Sequence, residues 1–314
     1  MSGRHRAEWV DCARLLAMFF IIWLHADAAP GWVGKVVGGA IALFFLLAGY
    51  FLPASAGSVL VRTGRLVLAW GLWSLLSVLF LLLVKPYVDI SWQRVVGWGA
   101  AAYNTPLWFL KTLVAYQLVA AGLMAVRLLP RHAWVAVVFL MLCSYSTVPA
   151  QHLSVRFDYL WIFLLGVAAK SASLDAMYSY ICRNWWVLLL VVVGVFMQPV
   201  CLEAYAEAVD ASWRHCNLPL KSLAFMASFL LAGVLVQQWL PQVAARLAVY
   251  GRWMLFIYAG HSYVLSPLYQ WKVGSWCWNV WVPVLVLPLM VLLARVLTRW
   301  FPRGMACLQA QRGK

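Results

Sequence analysis

Two polar side chains, Arg14 and His25, bracket the stretch RLLAMFFIIWLH, in which every residue between them is apolar. Arginine is a permanent cation whose planar fork suits phosphate. Histidine is the side chain whose ordinary titration lies nearest physiological pH, which suits it to general-base or nucleophilic work. Eleven positions apart on one helix, at about 100° per residue, the two differ by three turns plus roughly 20°, and the rise between them is about 16 Å. They therefore share a face. A long thin substrate with an anionic end and a reactive end would touch both. The competing reading is interfacial, with Arg14 snorkelling to headgroups and His25 capping the far end of the helix.

Other residues fit the same chemistry. Arg62 and Arg65, in VRTGR, are three apart and lie on one face of a helix; two guanidiniums so placed hold phosphates bidentately, although arginines in a cytoplasmic connection also serve orientation alone. FFLLAGYFL sets Ala48 and Gly49 beside aromatics, leaving room for a helix or a ligand against the backbone. In TPLWFLKTLVAYQ, Trp108 stands near one boundary and Lys111 a turn deeper, where it either snorkels outward or lines a cavity at the depth of His25. GRWMLFIYAGHSYVL places Tyr258 and His261 three apart near mid-span, on one face. Each such ionisable group costs about 2.5–3.5 kcal/mol at a bilayer centre, so each asks for a partner or a purpose. Asp27 follows His25 by two positions, the wrong face of a continuous helix, and orients His25 only if the helix unwinds before Pro30.

The elements that must carry these groups are membrane helices. Of 314 residues, 65% are hydrophobic and 11% charged, against about a quarter charged in soluble domains. Apolar segments of the length a ~30 Å hydrocarbon layer needs run near 9–28, 33–53, 66–85, 105–126, 133–149, 157–173, 184–201, 219–240, 252–270 and 276–298. The expectation is an all-α polytopic protein of about ten transmembrane helices, forming a single membrane domain over 1–314 with no soluble domain left over. The first run is too long for a signal-peptide core and reads as a retained helix. Arg4, Arg6, Arg62, Arg65, Arg127, Arg131, Arg295 and Arg299 fall at the two ends and on the even-numbered connections, which makes both termini cytoplasmic. The +15 formal charge is then a topology signal plus attraction to anionic membrane lipid, not a nucleic-acid footprint. The cysteines show no CxxC spacing, so no metal site is expected. Cys201 and Cys216 share an outer acidic loop where a disulfide is feasible in an oxidising compartment.

Together these segments resemble the acyltransferase 3 family, the integral-membrane acyltransferases of bacterial surface glycans. The segments are EWVDCARLLAMFFIIWLH with Asp11, Arg14 and His25; FFLLAGYFL; RTGR with Arg62 and Arg65; PLWFL with Trp108 and Phe109; YLWIFLLGVAAK with Gly166; and YGRWMLFIYAGHSYVL with Tyr258 and His261. They occur in the family's order over nearly the whole chain. The resemblance implies a ten-helix fold in the bacterial inner membrane and transfer from cytoplasmic acyl-CoA, with acetyl as the default group, to a hydroxyl of an extracytoplasmic or lipid-linked glycan. Acyl-CoA would be a substrate, with no bound cofactor. His25 would be the catalytic histidine, and Arg14, Arg62 and Arg65 would serve the donor; Asp27, Trp108, Lys111, Tyr258 and His261 are further site candidates. Whether His25 acts as base or as nucleophile stays open. The chain departs from the family at Ala48, where serine commonly precedes the glycine. The rival class is a small-solute or acyl-donor transporter, since a bundle with midplane polar groups supports alternating access. No internal repeat relates the two halves.

Overall fold

The computed structural model describes residues 7–26, 29–84, 107–138, 158–203, 212–270 and 276–310. In hydrocarbon every backbone N–H and C=O must be paired within its own segment or a closed sheet, and the described residues are helical with no strand. The elements are α1 (Glu8–Leu24), α2 (Gly31–Tyr50), α3 (Ala56–Val84), α4 (Leu107–Ala125), α5 (Leu160–Ala169), α6 (Leu174–Glu203), α7 (Ser212–Trp239), α8 (Pro241–Ala248), a 3-10 turn (Val249–Trp253), α9 (Met254–Gln270), α10 (Trp276–Trp300) and α11 (Pro302–Leu308).

Among the described residues, five helical segments are long and apolar enough to cross a membrane: Trp32–Tyr50, Ala56–Phe80, Leu107–Ala125, Ser222–Trp239 and Trp281–Trp300. A sixth arises if α5 and Leu174–Leu190, bent by 102°, count as one broken span. The expected spans near 9–28 and 252–270 are occupied by α1 and α9, of 17 residues each. The one near 133–149 is helical over 133–138 and otherwise lies outside the described residues. One connection differs from expectation. Residues 174–183 are helix rather than loop, and Asn184 (φ −116°, ψ 21°) breaks the helix there while its Nδ2 donates to the Tyr180 carbonyl at 2.9 Å; the expected span at 184–201 is the part of α6 beyond this kink. The start of α7 at Ser212 extends helix into the acidic loop. The side chains of Cys201 and Cys216 lie outside the described residues.

Helix α1 is the hub. It packs against α2, α7, α8, the 3-10 turn, α9 and α10, and buries Trp9, Val10, Ala13, Ala17, Met18, Ile21 and Ile22, as a helix apolar on nearly every side must. Its first turn is tied down from another helix, the Trp9 N–H donating to Gln237 Oε1 of α7 at 2.7 Å, which satisfies a donor with no intrahelical partner. Beside it α2 is the most buried of the five spans, at 65% against 28% for those of α3 and α10. Helices α2 and α5 touch backbone to backbone. A Cβ on Gly49 would overlap the Phe163 carbonyl, and one on Gly166 would overlap that of Leu46. The small pair at Ala48 and Gly49 thus serves helix packing.

Candidate functional site

A continuous α1 sets Arg14 and His25 on one side of the central helix, the regular bonding ending with the His25 N–H on the Ile21 carbonyl at 3.3 Å. Arg14 is held by Asp11, one turn earlier, with Nη1 to Oδ1 at 3.1 Å; the arginine side chain is 28% exposed and the aspartate 6%. Asp11 can sit this deep because the 3-10 turn brings Gly251 against it: a Cβ at 251 would overlap the carboxylate. Arg14 is therefore fixed inside the bundle by a buried carboxylate, an arrangement different from a side chain reaching freely to headgroups.

The charge of Arg62 lies near enough to that of Arg14 for the two to repel. Arg62 donates from Nη1 to the Phe51 carbonyl at 2.6 Å, and Lys170, at the end of α5, donates from Nζ to the neighbouring Leu52 carbonyl at 2.7 Å. Two cations from two elements, Arg62 and Lys170, thus reach adjacent neutral carbonyls where α2 ends, and Arg14 of α1 lies within electrostatic range of the first. Carbonyls at a helix C-terminus attract cations, which accounts for the placement, yet a neutral carbonyl does not cancel the charge. An anion entering here relieves the repulsion between Arg14 and Arg62. Arg65, one turn further along α3, is half-buried.

At the other end of α1 the ring of His25 stands 5.2 Å, centre to centre, from that of His261 on α9. His261 is fully buried, and its Nδ1 lies 2.7 Å from the Tyr258 carbonyl and 3.3 Å from the Ile257 carbonyl. Carbonyls only accept, so Nδ1 carries the hydrogen and Nε2 the lone pair. Among the described residues that Nε2 has no hydrogen-bond partner, and a buried acceptor left unpaired costs about 1–3 kcal/mol. Tyr258 thus contributes its backbone carbonyl, its own ring standing 6.2 Å from the imidazole.

From Tyr258 a run of aromatic rings leads to α4 and α2. Tyr258 lies 5.1 Å from Phe109, Phe109 4.5 Å from Phe45, and Phe45 5.0 Å from Tyr116 and 6.4 Å from Trp108. Trp108 and Lys111 are half-buried on α4. The structure accordingly gathers the sequence candidates into two groups. Arg62 lies within electrostatic range of Arg14 at one end of α1; His25 and His261 face each other at the other, with Tyr258 next to His261 and Trp108 at the far side of the aromatic run. Asp27, which would orient His25 only if the helix unwound before Pro30, lies outside the described residues. No role followed from the sequence for Lys170 or Gly251, and Asp11 was legible only as part of the opening segment; the signal for Lys170 was its place in VAAK, at the end of an apolar run. No cluster of metal-ligating side chains occurs among the described residues.

The family model for the acyltransferase domain matches residues 7–299, an interval that contains every site residue named above. No curated protein and no solved structure matches the chain.

Proposed function

The chain belongs to the acyltransferase 3 family and is a membrane acyltransferase; from that premise we propose that it moves an acyl group from cytoplasmic acyl-CoA to a hydroxyl of an extracytoplasmic or lipid-linked glycan. The observation that carries the reading is the helix α1, with a cationic cluster at one end and a paired imidazole at the other, about 16 Å away by helical rise. Coenzyme A has the matching shape: phosphates at one end, a thioester at the far end of an extended arm.

In this reading Arg14, Arg62 and Arg65 hold the donor phosphates at the inner leaflet by charge-assisted hydrogen bonds. The arm runs beside α1 and brings the thioester carbonyl to His25. By one route His25 takes the proton of the acceptor hydroxyl; the oxygen attacks the carbonyl carbon, the carbon–sulfur bond breaks, and the departing thiolate recovers the proton. By the other, the imidazole nitrogen displaces the thiolate first; the hydroxyl then attacks the acyl-imidazole, the carbon–nitrogen bond breaks to return the neutral imidazole, and the hydroxyl proton ends on the thiolate. The acceptor enters from the outer side, where Trp108 supplies an apolar surface for a sugar face and Lys111 a donor. The proposal includes the ten-span topology with both termini cytoplasmic in a bacterial inner membrane, and acetyl as the group moved.

Reconstituted protein incubated with radiolabelled acetyl-CoA, with and without a crude envelope-glycan extract, tests the reading. Label covalently attached to glycan supports it. Label that enters vesicles unchanged indicates a transporter and contradicts it.

A further inference from the structure

The unpartnered ring nitrogen of His261 is the feature the mechanism above leaves unused. Four buried side-chain polar atoms lack a partner among the described residues: Trp23 Nε1, Trp70 Nε1, Ser74 Oγ and His261 Nε2. The last is the one that belongs to a titratable ring, and that ring faces His25 at 5.2 Å with 39° between the planes. Its orientation is locked from behind, because Nδ1 is engaged by the carbonyls of Ile257 and Tyr258 one helical turn back. A histidine whose Nδ1–H is held by backbone carbonyls presents Nε2 as an acceptor of fixed direction.

We propose that His261 is a positioning residue for His25: its Nε2 lone pair accepts the N–H of the His25 imidazole and so fixes which nitrogen of His25 keeps a lone pair for acyl transfer. Ring centres 5.2 Å apart leave room between facing nitrogens for an N–H···N bond of about 2.7–3.2 Å. His25 is the ring that turns to make it. It occupies the first position past α1, half-buried, whereas His261 sits inside α9 with no exposed surface. The bond also satisfies a buried acceptor that otherwise goes unpaired. In function it does for His25 what a carboxylate does for the histidine of a hydrolytic triad, setting tautomer and ring orientation, but with a neutral partner. A neutral acceptor suits this depth, since an unpaired carboxylate there would be strongly disfavoured. Both routes at His25 need one nitrogen bare and aimed at the substrate, so the inference serves either, and it rests on the reading of His25 as the reacting group.

The test uses the full chain reconstituted in lipid with 15N-labelled histidine, observed by solid-state NMR, with the two rings assigned through His25→Ala and His261→Gln. The expected result is a single His25 tautomer whose protonated nitrogen correlates through space with an unprotonated His261 Nε2. In His261→Leu, which removes the acceptor, His25 reverts to a mixture of tautomers; in His261→Gln, whose carbonyl oxygen can accept, a single tautomer persists. With acetyl-CoA as the probe and envelope-glycan extract as acceptor, His261→Leu lowers kcat at least about 10-fold, between the 10- to 100-fold seen for orienting partners of metal-bound histidines and the roughly 10⁴-fold for a charged triad partner, leaves KM for acetyl-CoA unchanged, and is partly rescued by glutamine. A mixture of His25 tautomers in the wild-type protein overturns the proposal without any variant having to fold. So does a loss confined to KM, or a His261→Leu protein with wild-type kcat. Retained acyl transfer in His25→Ala instead overturns the functional reading and leaves the ring-to-ring bond to be judged by NMR.

Discussion

Arg62→Gln separates a donor-binding role from a structural one. Among the described residues Arg62 bonds the Phe51 carbonyl at 2.6 Å, and it stands close enough to Arg14 for their charges to repel. Glutamine removes the charge, and its amide, two bonds shorter, leaves the Phe51 carbonyl to water. A hydrogen bond from a charged group contributes about 1.5–3 kcal/mol, which sets the upper bound on what losing the Phe51 bond costs the fold. Loss of the Arg14 repulsion acts in the opposite direction, and for partly solvated charges it is of order 1 kcal/mol or less. The fold should therefore lose no more than that bound, with a thermal midpoint that moves by several degrees at most. Donor binding has no such compensation. One charged contact to a phosphate is worth about 1.5–3 kcal/mol, or about 10- to 150-fold in affinity. Calorimetric titration of the reconstituted protein with coenzyme A reads the second quantity, and a melting curve on the same sample reads the first. Unchanged coenzyme A affinity, or a loss that appears only with loss of folded protein, refutes the reasoning.

Arg14→Gln combined with Arg62→Gln should cost less donor affinity than the two single losses added, because both side chains grip the same anion and each relieves repulsion in the other's absence; a double-mutant cycle on coenzyme A binding reads this. Gly251→Ala should raise KM for the donor, since a Cβ there displaces the Asp11 carboxylate that holds Arg14, while kcat at saturation stays near wild type. Gly49→Val should reduce the yield of folded protein in detergent chromatography, the new side chain meeting the Phe163 carbonyl at an overpacking cost of about 1–3 kcal/mol or more. Tyr258→Phe should retain acyl transfer, because it is the backbone carbonyl of Tyr258 that engages His261; a severe kcat loss would assign the phenol a role of its own.

Much of the site was legible as anomaly. Arg14, His25, Lys111 and His261 stood out because ionisable side chains are costly inside apolar runs, and the helical period placed Arg14 and His25 on one face before any coordinates. The small residues Ala48 and Gly49 were readable as a close-packing point, and Gly166 proved to be the reciprocal glycine on α5. What the sequence withheld is which anomalies meet. His25 and His261 lie at opposite ends of the chain, and nothing in either apolar stretch encodes the docking of α9 against α1. Asp11 and Gly251 are joined only by the 3-10 turn, a local feature whose partner is tertiary. Lys170 drew no role from the sequence because its acceptor, the Leu52 carbonyl, is backbone and carries no residue signal. The number of crossings was blurred for a related reason: α5 is ten residues long and meets α6 at a sharp bend, and hydropathy sums cannot distinguish a broken span from two short ones.

The separation of donor grip from chemistry along α1 is tested most directly by measuring His25→Ala twice on one reconstituted sample: coenzyme A affinity by titration, and transfer of label from acetyl-CoA to glycan. Affinity equal to wild type with transfer abolished is the predicted outcome. Transfer at the wild-type rate from a protein without the His25 imidazole would contradict it.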